Sequence, residues 1–319
     1  MKLAATVIIL LAAAPASTAE VSRARYLMGT VCEVSVEGGV EPEKQIARAF
    51  AEAERIEGFL STWREGSELS RLNRDGDLAV SPELSKLLRS VVDQSRRTGG
   101  TFNPLMRPLI DAWKTRFAGA IPSRDAIAAA LKAIASSNVR FVELTRVVLI
   151  NGAKFEEGGF GKGYAIDRML AGIASSRALI NFGGQIGVRG EREVTIADPA
   201  DRHRPVVAFT IHDASLSTSS GSEKSFVIGG RTLSHIIDPR TGEPLPPRGS
   251  ASAISSDALT ADIFSTALYV MGPEEGIRWA NANGVAAAFI GESFIYVSKQ
   301  FLERARGITV LDPNFTLKD

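Results

Sequence analysis

The sequence predicts a mixed α/β (α+β) protein, a single compact unit of two lobes with mixed sheets and helices, and three observations carry that expectation. The first half holds amphipathic helical stripes with few strands, whereas the second holds short strands parted by glycine turns, with helices interspersed. No regular strand–helix alternation runs along the chain, so a doubly wound parallel sheet is not expected. No internal repeat, low-complexity tract or linker divides the 319 residues, which are 45% hydrophobic and 23% charged, an ordinary globular composition.

The chain opens with a basic Lys2, an apolar core from Leu3 to Ala14 and small residues up to Ala19. That order of charge, core and small residues predicts a cleaved export signal over residues 1–19, with a cut after Ala16 also acceptable. The core falls well short of the roughly 20 residues that span a bilayer. No cysteine stands near the cut to carry a lipid. A periplasmic or otherwise exported protein with no transmembrane anchor is therefore expected, its domain filling 20–319. Cys32 is the single cysteine, so no intramolecular disulfide is available and a core must supply stability. A formal net charge of +1 removes any broad electrostatic case for nucleic acid.

Along the domain, Tyr26 to Val36 alternates loosely and reads as a strand. Glu43 to Thr62 places Ile46, Phe50, Ala53, Ile56 and Leu60 on one helical stripe. Ser81-Pro82 opens a second helix and Gly99-Gly100 closes it. Ser123 caps an alanine-rich helix running to Ser137, and two β-branched runs between Val139 and Ile150 read as a hairpin. Beyond Ile150, the turns Gly158-Gly159, Gly183-Gly184 and Gly229-Gly230 separate strands such as Val194 to Ala197 and Val206 to Ile211. Helices are expected over Lys162 to Ser175, Asp257 to Met271 and Pro273 to Asn283.

Three stretches invite chemistry. In Glu156 to Gly163 (EEGGFGKG) a P-loop would need glycine at Glu156 and a hydroxyl residue at Gly163, and a dinucleotide fingerprint from Gly159 would need glycine at Tyr164. The spacing of Asn181-Phe182-Gly183-Gly184 also fails. What remains is a glycine turn opening a helix, which offers backbone N–H groups to an anion beside Lys162; a plain strand-to-helix turn explains the glycines equally well. Asp262 and Thr266 stand four apart, on one face of an otherwise apolar helix. A buried carboxylate needs a cation or a hydrogen-bond network, and hard oxygens with few carboxylates suit magnesium bridged to phosphates. The third stretch is Ser234 to Gly242, where Asp238-Pro239 and Gly242 signal a turn. His235, just before it, is either a proton carrier or a structural strand residue.

In this order the segments resemble the FAD:protein FMN transferase family, the ApbE type once called thiamine-biosynthesis lipoproteins. The likeness runs from about Tyr26 to about Gly272. It comprises Met28-Gly29-Thr30, Ser61-Thr62-Trp63 with Ser67 to Asn73, Gly100 to Pro104 with Trp113, Gly158 to Asp167, Asn181 to Gly184, Ser234 to Gly242, and Ala261-Asp262 with Thr266. The resemblance implies a mixed α/β fold with FAD in a cleft between lobes. It implies nucleotide contacts at Met28, Trp63, Thr101, Phe102, Asn103, Glu156, Lys162 and Ile237, and magnesium held by Asp262, Thr266 and the backbone of Gly159. His235 and Asp262 are the implied catalytic pair. Departures stand at Glu156-Glu157 for the usual Asp-Leu, at Asn103 for an Asp, and at Ser219-Ser220-Gly221 for Thr-Ser-Gly. The implied activity is magnesium-dependent transfer of FMN from FAD to a threonine or serine hydroxyl of an exported or membrane redox flavoprotein subunit, releasing AMP. An FAD pyrophosphatase and a flavin carrier remain as alternatives.

Overall fold

The computed structural model describes residues 19–115, 119–222, 225–228 and 230–319. The expected signal segment, apart from Ala19, lies outside the described residues, as does Gly229. Among the described residues no helix is long and apolar enough to cross a membrane.

Strand β1 (Glu20–Leu27) turns through Met28-Gly29 into β2 (Thr30–Glu37). The single strand expected from Tyr26 to Val36 is thus a hairpin. Met28 and Gly29 both take positive φ, 45° and 79°, the pattern of a two-residue type I′ turn. Helix α1 (Pro42–Leu60) follows, and its stripe Ile46, Phe50, Ala53, Ile56 and Leu60 is buried. Then come α2 (Glu68–Asp75), β3 (Asp77–Ala79) and α3 (Pro82–Arg97), which Ser81 caps by accepting from the Leu84 N–H. Helix α4 (Arg107–Trp113) leads to α5 (Arg124–Ser136), capped by Ser123. Helices α2 and α4 escaped sequence reading because neither exceeds eight residues, too short for a periodic stripe. The expected hairpin forms as β4 (Asn138–Val142) and β5 (Arg146–Ile150).

Helix α6 (Gly161–Ala171) is shorter than the expected Lys162 to Ser175; Gly172 ends it, and Ser175 instead binds the Glu37 carbonyl through its hydroxyl at 2.7 Å. Six strands follow: β6 (Arg177–Phe182), β7 (Gln185–Arg189), β8 (Glu191–Ala197), β9 (Pro205–His212), β10 (Ser215–Ser220) and β11 (Ser225–Ile228). After β12 (Arg231–Ser234) and β13 (Ser250–Ser255) come α7 (Ala258–Met271) and α8 (Pro273–Asn283). The chain closes through β14 (Ala286–Ile290), β15 (Phe294–Val297), α9 (Lys299–Arg304), β16 (Arg306–Val310) and β17 (Thr316–Lys318).

Nine strands form one sheet in the order β1-β2-β6-β7-β10-β13-β14-β15-β17, antiparallel except for the final β15–β17 pair. Period-two alternation divides its side chains between two cores. Ala251, Ala253, Ala287 and Phe289 face helices α1, α3, α6 and α7. Ile254, Ala286, Ala288 and Ile290 face the small sheet β16-β9-β8. A third cluster joins α4 and α5 to Leu233 and Ile237. Trp113 fixes that cluster to the turn after Asp238 by donating Nε1–H to the Gly242 carbonyl at 2.7 Å.

Candidate functional site

Antiparallel helices α6 and α7 cross on the helical face of the large sheet, and glycine sets how closely. A Cβ on Gly163 would stand 2.4 Å from the Ala258 carbonyl oxygen and 2.7 Å from Asp262 Cβ, distances no side chain tolerates. The close crossing lets Gly163 donate its N–H to Asp262 Oδ2 at 2.9 Å. Gln185, first residue of β7, donates Nε2–H to Asp262 Oδ1 at 2.6 Å. Asp262 is 1% exposed. One turn on, Thr266 is half-buried and donates to the Asp262 carbonyl at 3.2 Å. Its hydroxyl also lies 3.4 Å from Ser219 Oγ on β10 and 3.5 Å from where a Gly159 Cβ would stand. The glycine loop, Asp262 and Thr266 therefore meet.

The loop's other neighbours are sequence-predicted residues. A Cβ on Gly159 would sit 3.0 Å from the ring of Phe102, and one on Gly161 would sit 3.5 Å from Met28 Cε. Met28 reaches this place because its hairpin packs against the β6–β7 turn, where a Gly183 Cβ would strike Thr30 Oγ1 at 2.7 Å. Thr101 is buried and donates to the Thr98 carbonyl, while Asn103 accepts from the Leu105 N–H in an Asx turn. These two shape the segment that presents Phe102. Trp63 is 59% exposed on the neighbouring loop. Glu156 takes the Pro104 carbonyl through its N–H, and its carboxylate stands 3.8 Å from Arg107. Lys162 is half-buried at the second position of α6, which starts without a side-chain cap. Among the described residues no ion pair engages its ammonium.

His235 and Ile237 belong to the 234–245 hairpin, held by Ser234 N–H to Leu245 and Leu245 N–H to Ile236. Half-buried His235 directly follows β12, as expected. Ser234 Cβ stands 2.9 Å from where a Gly221 Cβ would be, two residues beyond Ser219, which brings this hairpin to the β10 end of the site. The side chain of Ile237 fills the third cluster with Leu109, Trp113 and Leu233.

Sequence reasoning missed three residues. Glu157, treated only as a departure, is buried and accepts from both the Thr62 N–H and hydroxyl, at 2.9 and 2.5 Å, tying the Trp63 loop to the glycine loop. Asp167 accepts from the Ala258 and Leu259 N–H groups at 2.6 and 3.0 Å. Burial pushes its carboxyl up to about 6 against the pull of those two bonds, with the Asp257 and Asp262 charges adding to the rise. Gln185 escaped because glutamine carries no motif; its place after Gly183-Gly184, at φ 65° and 89°, was the available signal.

One carboxylate and one hydroxyl are hard oxygen donors, and a carboxylate with two donors on it still has lone pairs to give. Among the described residues no group of three or more His, Cys, Asp or Glu is arranged to hold a metal. The donor set fits a hard divalent ion shared with phosphate oxygens and does not fit a protein-enclosed zinc.

Comparison with known proteins bears on this arrangement. A model of the ApbE family matches residues 28–289. A protein of Klebsiella pneumoniae named FAD:protein FMN transferase is 32% identical, over 91% of this chain and 90% of its own length. A Treponema pallidum protein of the same name is 29% identical, over 94% of this chain and 91% of its own. In three dimensions the crystal structure of the ApbE protein of Thermotoga maritima matches with a TM-score of 0.81 at 26% identity, covering 90% of this chain and 100% of that one.

Proposed function

The chain belongs to the ApbE family, and we propose from that membership and the site that it transfers FMN from FAD to a protein. The finer reading is magnesium-dependent transfer to a threonine or serine hydroxyl of an exported redox protein, with AMP released. The observation that carries it is the meeting of Asp262, Thr266 and the Gly158–Gly163 loop at one helix crossing.

Asp262, Thr266 and the Gly159 carbonyl are the residues to hold Mg2+, which when bound neutralises diphosphate charge and the charge on the departing AMP. The Lys162 ammonium, at the second position of α6, would add a positive charge to the same diphosphate. Phe102, Met28 and Trp63 supply apolar surface for the flavin nucleotide, and Glu157 holds the Trp63 loop against the glycine loop. The acceptor hydroxyl oxygen bonds to the FMN phosphorus as the bond from that phosphorus to the AMP oxygen breaks. His235 takes the hydroxyl proton. Positioning and field carry the reaction, so no covalent enzyme intermediate is required. Export rests on the sequence of residues 1–19.

The test mixes mature protein, FAD, Mg2+ and an acceptor flavoprotein domain. An FMN-sized mass gain on the acceptor is expected, and Asp262→Asn should lower its rate about a thousandfold, the scale of losing a key electrostatic group. Free FMN and AMP with no labelled acceptor would make the protein a hydrolase. Neither product would leave a binding protein.

A further inference from the structure

We propose that Gln185 is a positioning residue for Asp262, fixing the carboxylate through its side-chain amide; the inference rests on the transferase reading above. Asp262 is held from two sides, by the Gly163 N–H on Oδ2 and by Gln185 Nε2 on Oδ1. The first bond comes from helix α6 and the second from strand β7, so the carboxylate is fixed relative to both layers that meet at the site. The nitrogen, not the oxygen, faces Asp262, because an ionised carboxylate only accepts.

Gln185 is itself buried, and its Oε1 has no hydrogen-bond partner among the described residues. A bare buried carbonyl oxygen costs stability, so packing alone does not account for an amide here; leucine or methionine would fill the space without that cost. The backbone fixes the amide's origin. Gly183 and Gly184 make the type I′ turn that starts β7 at Gln185. Gly187, next on the same strand face, admits helix α6, since a Cβ there would stand 2.3 Å from Ile166. The β6–β7 glycines, which match no nucleotide fingerprint, thereby acquire a role: they aim a donor at the acidic member of the site. Such outer partners of ligating carboxylates orient them and set their affinity.

The test compares wild type with Gln185→Leu and Gln185→Met, two apolar replacements of similar size. Mn2+ binding in the presence of ADP is read by electron paramagnetic resonance, metal-free FAD binding by flavin fluorescence, and transfer by kcat and KM. Expected are a ten- to hundredfold weaker Mn2+ affinity, a kcat lowered by a similar factor, and FAD binding and KM within twofold of wild type. Thermal stability should stay level or fall modestly, because the relief of the bare Oε1 is opposed by the donor that the buried Asp262 Oδ1 loses. Equal Mn2+ affinity in a folded variant overturns the inference, and so does a failure of both variants to fold, which would make the amide structural. A wild type that neither transfers FMN nor binds Mn2+ overturns the transferase reading and this inference together. A wild type that does both, with variants that equal it, overturns this inference alone.

Discussion

Two helix starts lie within one small volume of this protein and are treated in opposite ways. Both carry the unpaired N–H groups and positive dipole end of any helix N-terminus. The start of α7 is filled from within: Asp257 accepts from the Thr260 N–H, and Asp167 from those of Ala258 and Leu259. The start of α6 has no side-chain cap and places Lys162 there, while its Gly163 N–H turns to Asp262. The difference teaches where an outside anion is admitted. The α7 end is filled by two carboxylates, whereas the α6 end gives one N–H to Asp262 and one to the Glu157 carbonyl and adds the Lys162 ammonium, so it is the end better suited to an outside anion. Asp167 closes α7 from the same motif whose start stays open, so the motif makes both decisions.

The sharpest way to break the contrast is to move one start against the other. Gly163→Ala places a methyl 2.4 Å from a backbone carbonyl, and backbone cannot yield as a flexible side chain does. Overpacking of this kind costs about 1–3 kcal/mol, and a shift of about 1 Å in a reacting group costs about a hundredfold in rate. Both a lower melting temperature and a roughly hundredfold slower transfer are expected. Unchanged transfer in a destabilised protein would show that the α6–α7 distance does not set the chemistry.

The closed start has a pH signature. Asp167 titrates near 6 in the folded protein against an ordinary 3.8. Between those values the folded state holds a proton that the unfolded state has released, so stability falls as pH rises from about 4 to about 6 and then levels. Two units correspond to about 3 kcal/mol by linkage. Asp167→Asn should remove that slope, read as the difference in unfolding free energy between variant and wild type across pH 4–7. Parallel curves would mean that the carboxylate sits ionised at the closed end with no burial penalty.

The open start is probed by Lys162→Met. With no ion-pair partner among the described residues, the ammonium is not needed for the fold, so the melting temperature should stay within about 1 °C, as for surface substitutions. The KM for FAD should rise about tenfold, one charge-assisted contact to phosphate. ADP should raise the melting temperature of wild type more than that of the variant. Equal ADP shifts would deny the open end its anion.

How much of this was legible in the sequence differs between the two starts. The stripe Ile46 to Leu60, the caps Ser81 and Ser123, and the α7 boundary at Asp257 follow from periodicity and capping chemistry, which are local. The open start was legible as a glycine loop before a helix with a lysine. Its partners were not, because the contacts of Asp167 with α7, of Glu157 with Thr62 and of Gln185 with Asp262 span 91, 95 and 77 residues. No periodic signal records a contact over such separations. Ile237 was legible only through its motif, which does not reveal that its side chain packs with Trp113. Met28 hid a turn inside what read as one strand, because a two-residue hairpin without Asn or Asp leaves little trace.

The smallest effect is the most discriminating. Asp257→Ala removes a side-chain cap, a loss of about 1 kcal/mol, which for a chain of this length lowers the melting temperature by about 2 °C. Asp167 still holds the first two N–H groups of α7, so the helix should not unravel and the transfer rate should stay within about twofold. The same substitution withdraws a negative charge that helps to raise Asp167, so the pH-dependent fall in stability should shrink and shift towards lower pH. Measured together, a cooler melting point, a narrower slope and an unchanged rate would separate the closed end of α7 from the open end of α6. A tenfold slower rate would instead mean that the two starts act as one site and that the cap at Asp257 transmits to Asp262, only five residues further along the same helix.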